Sequence, residues 1–527
     1  MDILFAEKSN REVVELKPET VKDLAIQDIV DNISDNETEM LVLRDILTKI
    51  PKDIRDMQYR QDIMKDLMEN DQLVEGLTEA AGLIRTLRDL GSTKTRRMNN
   101  DSSLYTLLED LRELSVYVQV TEMIYRCLKE NNVKSDGLKI VLREMENVVS
   151  DEKFEIAKQD IETMLDKLSN VRGAIVGVNF TPDLNVEEVM SVDFVPYRIK
   201  SKFKFAEFGA FISAVNQTAM ATNSAGRPMP NVHVVDPLLV TMTPLIEKHM
   251  KRSYVKIKMM MNKYVKLDGM SITELFEGIL YYLTMVKFSK RLKKEGLEIC
   301  MPVLEESDDN SVSMELKDLY NVRLFFAGEK NIVKNDFRFS PEENLFILTG
   351  PNRGGKTIIE QAIGIISIMA AGGCFVTASS FKGRPFANIL THFPIDENLT
   401  INYGRLGEEA VRIKEIVKES DSKTLILFNE TYSTTSSSDG LYLSKDLLHI
   451  LKKKGTAVIF NTHIHEVARA IDEMNEWEGR SRFVSIIMEI IDNKNTFKVK
   501  RSEPDSCSYA RNIAEKYGIT YEQMLED

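Results

Sequence analysis

Hydrophobic residues follow two different periods along the chain. Through residues 1–170 they recur at three- and four-residue spacing. Leu41-Val42-Leu43-Arg44-Asp45-Ile46-Leu47 is followed by a break at Pro51 and a helical run from Asp53 to Leu77. Further on, Leu104, Leu107, Leu108, Leu111 and Leu114 keep the same spacing. That period stacks apolar side chains on one face, so these residues predict packed helices. Lys94-Thr95-Arg96-Arg97 reads as a solvated loop rather than a phosphate contact. Ile175 to Phe180 and Val189 to Phe194 then read as short strands about a Pro182-Asp183 turn. From Arg198 to Phe205 basic residues alternate with mostly apolar ones. This stretch fits a phosphate-facing edge and a lysine-protected edge strand equally, and both readings stay open.

Residues 219–231 are a Gly, Pro, Ser and Asn loop, and Leu238 to Val265 is a long amphipathic segment whose Met259-Met260-Met261 run reads as helix packing. Ser271-Ile272-Thr273-Glu274 has the capping-box pattern and starts a helix with Ile272, Leu275, Phe276, Ile279, Leu283 and Val286 on its apolar face. Joined at Asp268-Gly269, the two helices predict an antiparallel arm. After the acidic break Glu305 to Asn310, strand and helix patterns alternate, as in an α/β sheet. The predicted division is a helical core at 1–172, a short β and loop segment at 173–235, long helices at 236–312 and an α/β domain at 313–527.

Composition adds bounds. A chain of 527 residues is too long for one core. Its 43% hydrophobic and 29% charged content are ordinary for a globular protein, and only 14 prolines favour long helices. The cysteines, Cys127, Cys300, Cys374 and Cys507, are widely spaced, which suggests neither a disulfide framework nor a zinc ribbon. With no signal-peptide pattern and no long apolar run, the expectation is a cytoplasmic protein without a membrane span. A net charge of −13 argues against a generally basic nucleic-acid coat but leaves room for a local basic face.

The chemistry concentrates at Gly350-Pro351-Asn352-Arg353-Gly354-Gly355-Lys356-Thr357, a Gly-x-x-x-x-Gly-Lys-Thr loop between an apolar strand and a helical pattern. Such a loop turns backbone N–H groups toward an anion at a helix N-terminus. Lys356 is expected to reach the β- and γ-phosphates, and the Thr357 hydroxyl to ligate Mg²⁺. Hydrolysis requires a second polar strand end, and Thr424 to Glu430 supplies it, with Glu430 the candidate for polarising water. Asn429 sits where such strands usually carry an aspartate. It can orient a metal-bound water but brings no charge, so weaker Mg²⁺ affinity is expected. A third strand runs into Asn461-Thr462-His463, and His463 is a candidate sensor of nucleotide state. His463-Ile464-His465-Glu466 lacks the spacing of a zinc protease, and His465 reads as structural.

The loop Thr349 to Thr357 resembles the phosphate loop of the MutS family of DNA mismatch-repair ATPases. Asn429-Glu430 with the following Ser/Thr-rich loop and Asp439-Gly440, Thr462-His463, and Ser508-Tyr509 with Gly518 resemble that family's later segments in order. The resemblance implies ATP and Mg²⁺ as cofactors, His463 as a switch histidine, and an adenine pocket at Ile332 to Asp336. In that pocket Asn335 contacts the base and Ile332 falls where an aromatic often stacks. More faintly, Tyr59-Arg60-Gln61 and the long arm look like the family's core and lever helices. The implied fold is multidomain: a mainly α-helical core with long lever or clamp helices, followed by an α/β P-loop domain of the ABC type.

Two departures qualify the resemblance. Little chain precedes the core helices, so a mismatch-reading domain with an intercalating wedge is not expected. Gly404-Arg405-Leu406-Gly407-Glu408-Glu409 lies opposite the family's trans-acting Ser-Thr-Phe signature, which leaves Gly404, Gly407 or Arg405 as candidate substitutes. No appended nuclease domain is expected after Asp527. The resemblance implies an ATP-dependent DNA-binding ATPase, dimeric, with nucleotide state controlling helical arms on mismatched or branched double-stranded DNA in repair or recombination control. The alternative is a nucleotide-binding scaffold with weak hydrolysis acting on a protein or RNA partner.

Overall fold

Two of the helix starts in the first third carry side-chain caps. Asn36 accepts from the N–H groups of Thr38 and Glu39, and Asp53 accepts from that of Arg55. Such caps satisfy donors that a helix start leaves unpaired. In this computed structural model, residues 2–96, 104–169, 173–182, 186–197, 270–305, 313–394, 405–433, 435–491, 494–503 and 521–526 are described.

The first elements are β1 (Val13–Glu15), α1 (Pro18–Asp23), α2 (Ile26–Ile33), α3 (Glu37–Leu47), β2 (Lys49–Pro51), α4 (Ile54–Glu69) and α5 (Asp71–Arg96). They are followed by α6 (Leu104–Glu130), α7 (Asp136–Val149), α8 (Glu152–Ser169), β3 (Gly173–Phe180) and β4 (Val186–Val195). The helical reading of this region holds, with three corrections. The run from Asp53 to Leu77 is two helices, because Asn70 leaves helical geometry and its side chain caps Leu73 N–H at 3.0 Å. Residues 94–96 continue α5 rather than forming a loop. Strands β1 and β2 form a small antiparallel ladder inside the helical region, with Val13 opposite Pro51. Strands β3 and β4 form the expected antiparallel hairpin.

By backbone proximity the chain forms two units, one of residues 1–77, 131–141 and 277–527, the other of residues 78–130 and 142–276. In the second unit Tyr117 and Phe154 meet edge-on with centroids 6.4 Å apart. The amphipathic segment at 238–265 and the junction Asp268-Gly269 lie outside the described residues, as does the basic stretch at 198–205. Helices α9 (Met270–Thr273) and α10 (Leu275–Lys294) follow. The apolar face predicted for them is buried, from Ile272 to Val286.

Within the first unit come β5 (Val303–Leu304), β6 (Met314–Leu319), α11 (Val322–Phe326), β7 (Asn335–Phe339), β8 (Glu343–Thr349) and α12 (Lys356–Ala371). Next are β9 (Ser380–Gly383), β10 (Asn388–His392), α13 (Arg405–Glu419), β11 (Thr424–Asn429), α14 (Ser437–Lys454) and β12 (Ala457–Asn461). The last are α15 (His465–Arg469), α16 (Ile471–Asn475), β13 (Arg482–Ile491), β14 (Lys494–Arg501) and α17 (Tyr521–Glu526). The main sheet has the order β10-β11-β12-β8-β13-β14, parallel except for β14. Strands β11 and β12 are buried at every position, which is what a parallel sheet covered on both faces requires. A second sheet has the order β5-β9-β6-β7.

The N-terminal helices are built into this unit. Thr20 Oγ1 donates to Ile389 O at 3.2 Å, Gln361 Nε2 to Asp23 O at 2.8 Å, and Arg412 pairs with Asp23 at 2.9 Å. In α10, Tyr281 Oη donates to Gly372 O and Tyr282 Oη to Ile3 O, both at 2.8 Å. Among the described residues no helix is long and apolar enough to cross a membrane.

Candidate nucleotide site

The site lies where parallel strands end, the position at which open α/β sheets bind ligands. Strand β8 is central, with β12 and β13 on either side, and it runs directly into the glycine-rich loop. Gly350 has φ +142°, and a Cβ there would come within 3.0 Å of Met488. Gly355 has φ +95° and starts α12 in the left-handed region, where a side chain is strained. The loop is thus shaped by its glycines, and its backbone ends at a sixteen-residue helix.

Lys356 is buried, and its ammonium donates to the carbonyls of Gly350 at 3.0 Å and Pro351 at 3.1 Å. Burial lowers its pKa, while the nearby carboxyls of Glu430 and Glu360 oppose that shift. Thr357 Oγ1 donates to Asn429 Oδ1 at 3.4 Å, joining the start of α12 to the end of β11. Glu430 follows Asn429 with φ +55°, an unusual conformation for a glutamate. Its Oε1 lies 2.6 Å from His463 Nε2. That hydrogen bond chiefly, and the charges of His463 and Lys356 after it, hold the Glu430 carboxyl below its ordinary range against partial burial. Because an ionised carboxylate only accepts, His463 carries its proton on Nε2 here. The tertiary fold therefore brings together Lys356, Thr357, Asn429, Glu430 and His463, drawn from three separate segments.

A cavity of about 500 Å³ opens beside the loop, lined by Pro351, Asn352, Arg353, Gly354, Gly355, Lys356 and Thr357 together with Glu430, Tyr320, Val333, Asn335 and Phe497. Ile332 is not among its lining residues; its neighbours Asn331 and Val333 are. Asn335 does reach the cavity, but its amide is engaged with the β13–β14 hairpin. Nδ2 donates to Phe497 O at 3.1 Å, and Oδ1 accepts from Val499 N–H at 2.8 Å. Phe497 has φ +59°, and its ring comes within 3.3 Å of where a Gly355 Cβ would sit. No local sequence signal marks it, because only the fold of the hairpin carries it to the loop.

Beneath the site lies a polar cluster that sequence reasoning also missed. Asn461 Nδ2 donates to Asn429 Oδ1 at 2.6 Å and to Glu360 Oε2 at 3.2 Å. Glu360 is fully buried, and burial pushes its carboxyl well above its ordinary range. A glutamate inside the mostly apolar run of α12 was the available signal. On the outer side, His392 Nδ1 lies 2.9 Å from Thr431 Oγ1, and Glu409 accepts from Tyr432 N–H at 2.8 Å, so two side chains hold the loop after Glu430. Gly404 lies outside the described residues, as do Ser508, Tyr509 and Gly518; Arg405 and Gly407 are in the first turn of α13.

The donor set suits Mg²⁺, which takes hard oxygen ligands and shares them with phosphates and water. Thr357 Oγ1 and Asn429 Oδ1 face each other, with Glu430 next along the chain. Among the described residues no group of three or more His, Cys, Asp or Glu forms a metal cage by itself.

The sheet, the glycine-rich loop and the strand ends around it define a phosphate-loop α/β domain. Residues 346–523 match the family model described as MutS domain V. The chain is 24% identical over 265 residues to Endonuclease MutS2 of Clostridium novyi, covering 49% of this chain and 32% of that protein. It is 22% identical over 433 residues to DNA mismatch repair protein MutS of Caldanaerobacter subterraneus, covering 79% of this chain and 48% of that one. With DNA mismatch repair protein msh-2 of Neurospora crassa the identity is 33% over 143 residues, covering 27% and 15% respectively. Over residues 346–523 the chain is thus similar to a domain of the MutS family. It spans about half, or less, of the length of these relatives.

Proposed function

We propose that this protein is a MutS-type ATPase that binds ATP with Mg²⁺ at Gly350 to Thr357 and uses nucleotide state to control helical arms on DNA. The observation that carries the reading is the convergence of Lys356, Thr357, Asn429, Glu430 and His463 around one loop. Lys356 exchanges its two loop carbonyls for phosphate oxygens when nucleotide enters. Thr357, with Asn429 and Glu430, would hold Mg²⁺, which would supply positive charge against the phosphates. Glu430 keeps one carboxylate oxygen on His463, and its other oxygen accepts a hydrogen bond from the attacking water. His463 turns with Glu430 and so senses whether the γ-phosphate is present. Phe497, in the cavity wall where Ile332 is not, takes the stacking role at the base, with Asn335 bracing the hairpin.

The same reading assigns residues 1–172 to a core, 173–235 to a connecting segment, 236–312 to lever or clamp helices and 313–527 to the ATPase domain. A homodimer with composite sites closes its arms on mismatched or branched DNA, in repair or recombination control. The relatives named for mismatch repair and for MutS2 endonuclease support DNA as the partner. A second reading, a nucleotide-binding scaffold with weak hydrolysis, draws on Asn429 and on the net charge of −13. Binding to branched, mismatched and perfect duplexes, with and without ATP, separates the two. Phosphate contacts predict affinity that falls steeply with salt; no binding at low salt favours the scaffold. Loss of ATP binding in Lys356→Ala tests the site itself, and binding that survives it overturns the assignment.

A further inference from the structure

Asn429 poses a problem that the cluster beneath it answers. A carboxylate offers an oxygen whichever way it turns, whereas an amide offers oxygen on one side and N–H on the other. At a strand end meant to face Thr357 and a cation, the wrong orientation presents two donors to a positive charge. The amide's direction is therefore decisive, and something must set it.

The Asn461 amide nitrogen donates to both of its neighbours in the cluster, and the Asn429 oxygen accepts from both of its own. Glu360 Oε2 accepts from Asn461 Nδ2 at 3.2 Å, and the same nitrogen donates to Asn429 Oδ1 at 2.6 Å. Asn429 Oδ1 in turn accepts from Thr357 Oγ1 at 3.4 Å. We propose that Glu360 is a positioning residue which, through the Asn461 amide, fixes Asn429 with its oxygen rather than its nitrogen toward Thr357. The proposal rests on the ATP and Mg²⁺ reading of the site and deepens it.

Two further observations favour a functional over a packing role. Glu360 and Asn461 are both fully buried, and Glu360 Oε1 and Asn461 Oδ1 have no hydrogen-bond partner. Each such oxygen is destabilising, a cost that apolar residues of similar shape would avoid. Burial raises the pKa of Glu360. A proton on the unpartnered Oε1 leaves Oε2 as the acceptor, so the Asn461 amide keeps its orientation in either charge state.

The test measures binding of fluorescently labelled ATP as a function of Mg²⁺ concentration. Glu360→Leu is expected to raise the half-saturating Mg²⁺ by about 10-fold or more, the scale of loss when a group behind a metal ligand is removed. Its affinity for labelled ATP without Mg²⁺ stays at the wild-type value. Combining it with Asn429→Asp is expected to return the Mg²⁺ requirement toward wild type, because a carboxylate needs no orienting. Glu360→Gln keeps the shape but can present either amide end, and so gives a smaller rise. It carries the test if Glu360→Leu fails to fold. A wild-type Mg²⁺ requirement in both single variants, or equal deficits in Glu360→Leu and the double variant, overturns the proposal. Wild-type protein that binds no labelled ATP, or binding that survives Lys356→Ala, overturns the ATP reading and this proposal with it.

Discussion

His392 lies at the end of β10, 5% exposed, with Nδ1 2.9 Å from Thr431 Oγ1 and Nε2 3.8 Å from Glu409 Oε1. Burial first, and the Arg412 guanidinium second, push its pKa down from 6.5 to about 3. The imidazole is therefore neutral in the folded protein and takes up a proton on unfolding below its ordinary pKa. A folded-state pKa below the unfolded one means stability that is complete above about pH 6.5 and is lost as pH falls toward about 3. The slope is about 1.4 kcal/mol per pH unit inside that window. Between pH 7.5 and pH 5 this one group removes about 2 kcal/mol. His392→Asn keeps a polar atom for Thr431 and removes the titration. Denaturant unfolding followed by fluorescence reads the right domain, because Trp477, the chain's single tryptophan, packs on the sheet core edge-on to Phe483 at 6.1 Å. Comparing the pH 7.5 to pH 5 loss within each protein cancels any constant cost of the substitution. The variant is expected to lose about 2 kcal/mol less than wild type across that interval. Equal losses in the two proteins refute the argument.

Other expectations are simpler to test. Glu430→Gln should slow ATP hydrolysis by at least about 100-fold while labelled-ATP binding persists, and an undiminished rate would assign the water to another group. Phe497→Ala should weaken labelled-ATP binding by about 5–10-fold, the worth of one aromatic stack; an unchanged Kd would remove the ring from the site. Gly373 has φ +75°, and its Cβ would fall 2.3 Å from Arg60 Cβ. Gly373→Ala should therefore cost about 2 kcal/mol or more, read by Trp477 fluorescence during unfolding.

Much of the candidate site was legible in the sequence because it is built from local patterns. The glycines and Lys356-Thr357 form one contiguous loop, and apolar runs ending in Asn429-Glu430 and Asn461-Thr462-His463 mark strand ends without any long-range information. The α/β alternation and the β3–β4 hairpin follow in the same way from a period that changes from 3.6 to 2. Strand order is different. Nothing in the period of β12 or β13 says that β12 lies between β11 and β8 or that β13 lies on the other side of β8, and that placement is what puts His463 on Glu430 and Met488 against Gly350.

The first helices illustrate the same limit. Their spacing identified them as packed helices, but not that Thr20 and Asp23 bond to β10 and α12. The path of an irregular segment sets which side chain lines the cavity, so Val333 lies in its wall rather than Ile332. Phe497 and Glu360 were missed because their roles come from pairing and burial. The hairpin delivers the first to the loop, and an apolar helix encloses the second beside Asn461. Backbone periodicity is a property of neighbours in sequence, whereas the direction of the Asn429 amide depends on three segments meeting, which only the packed structure decides.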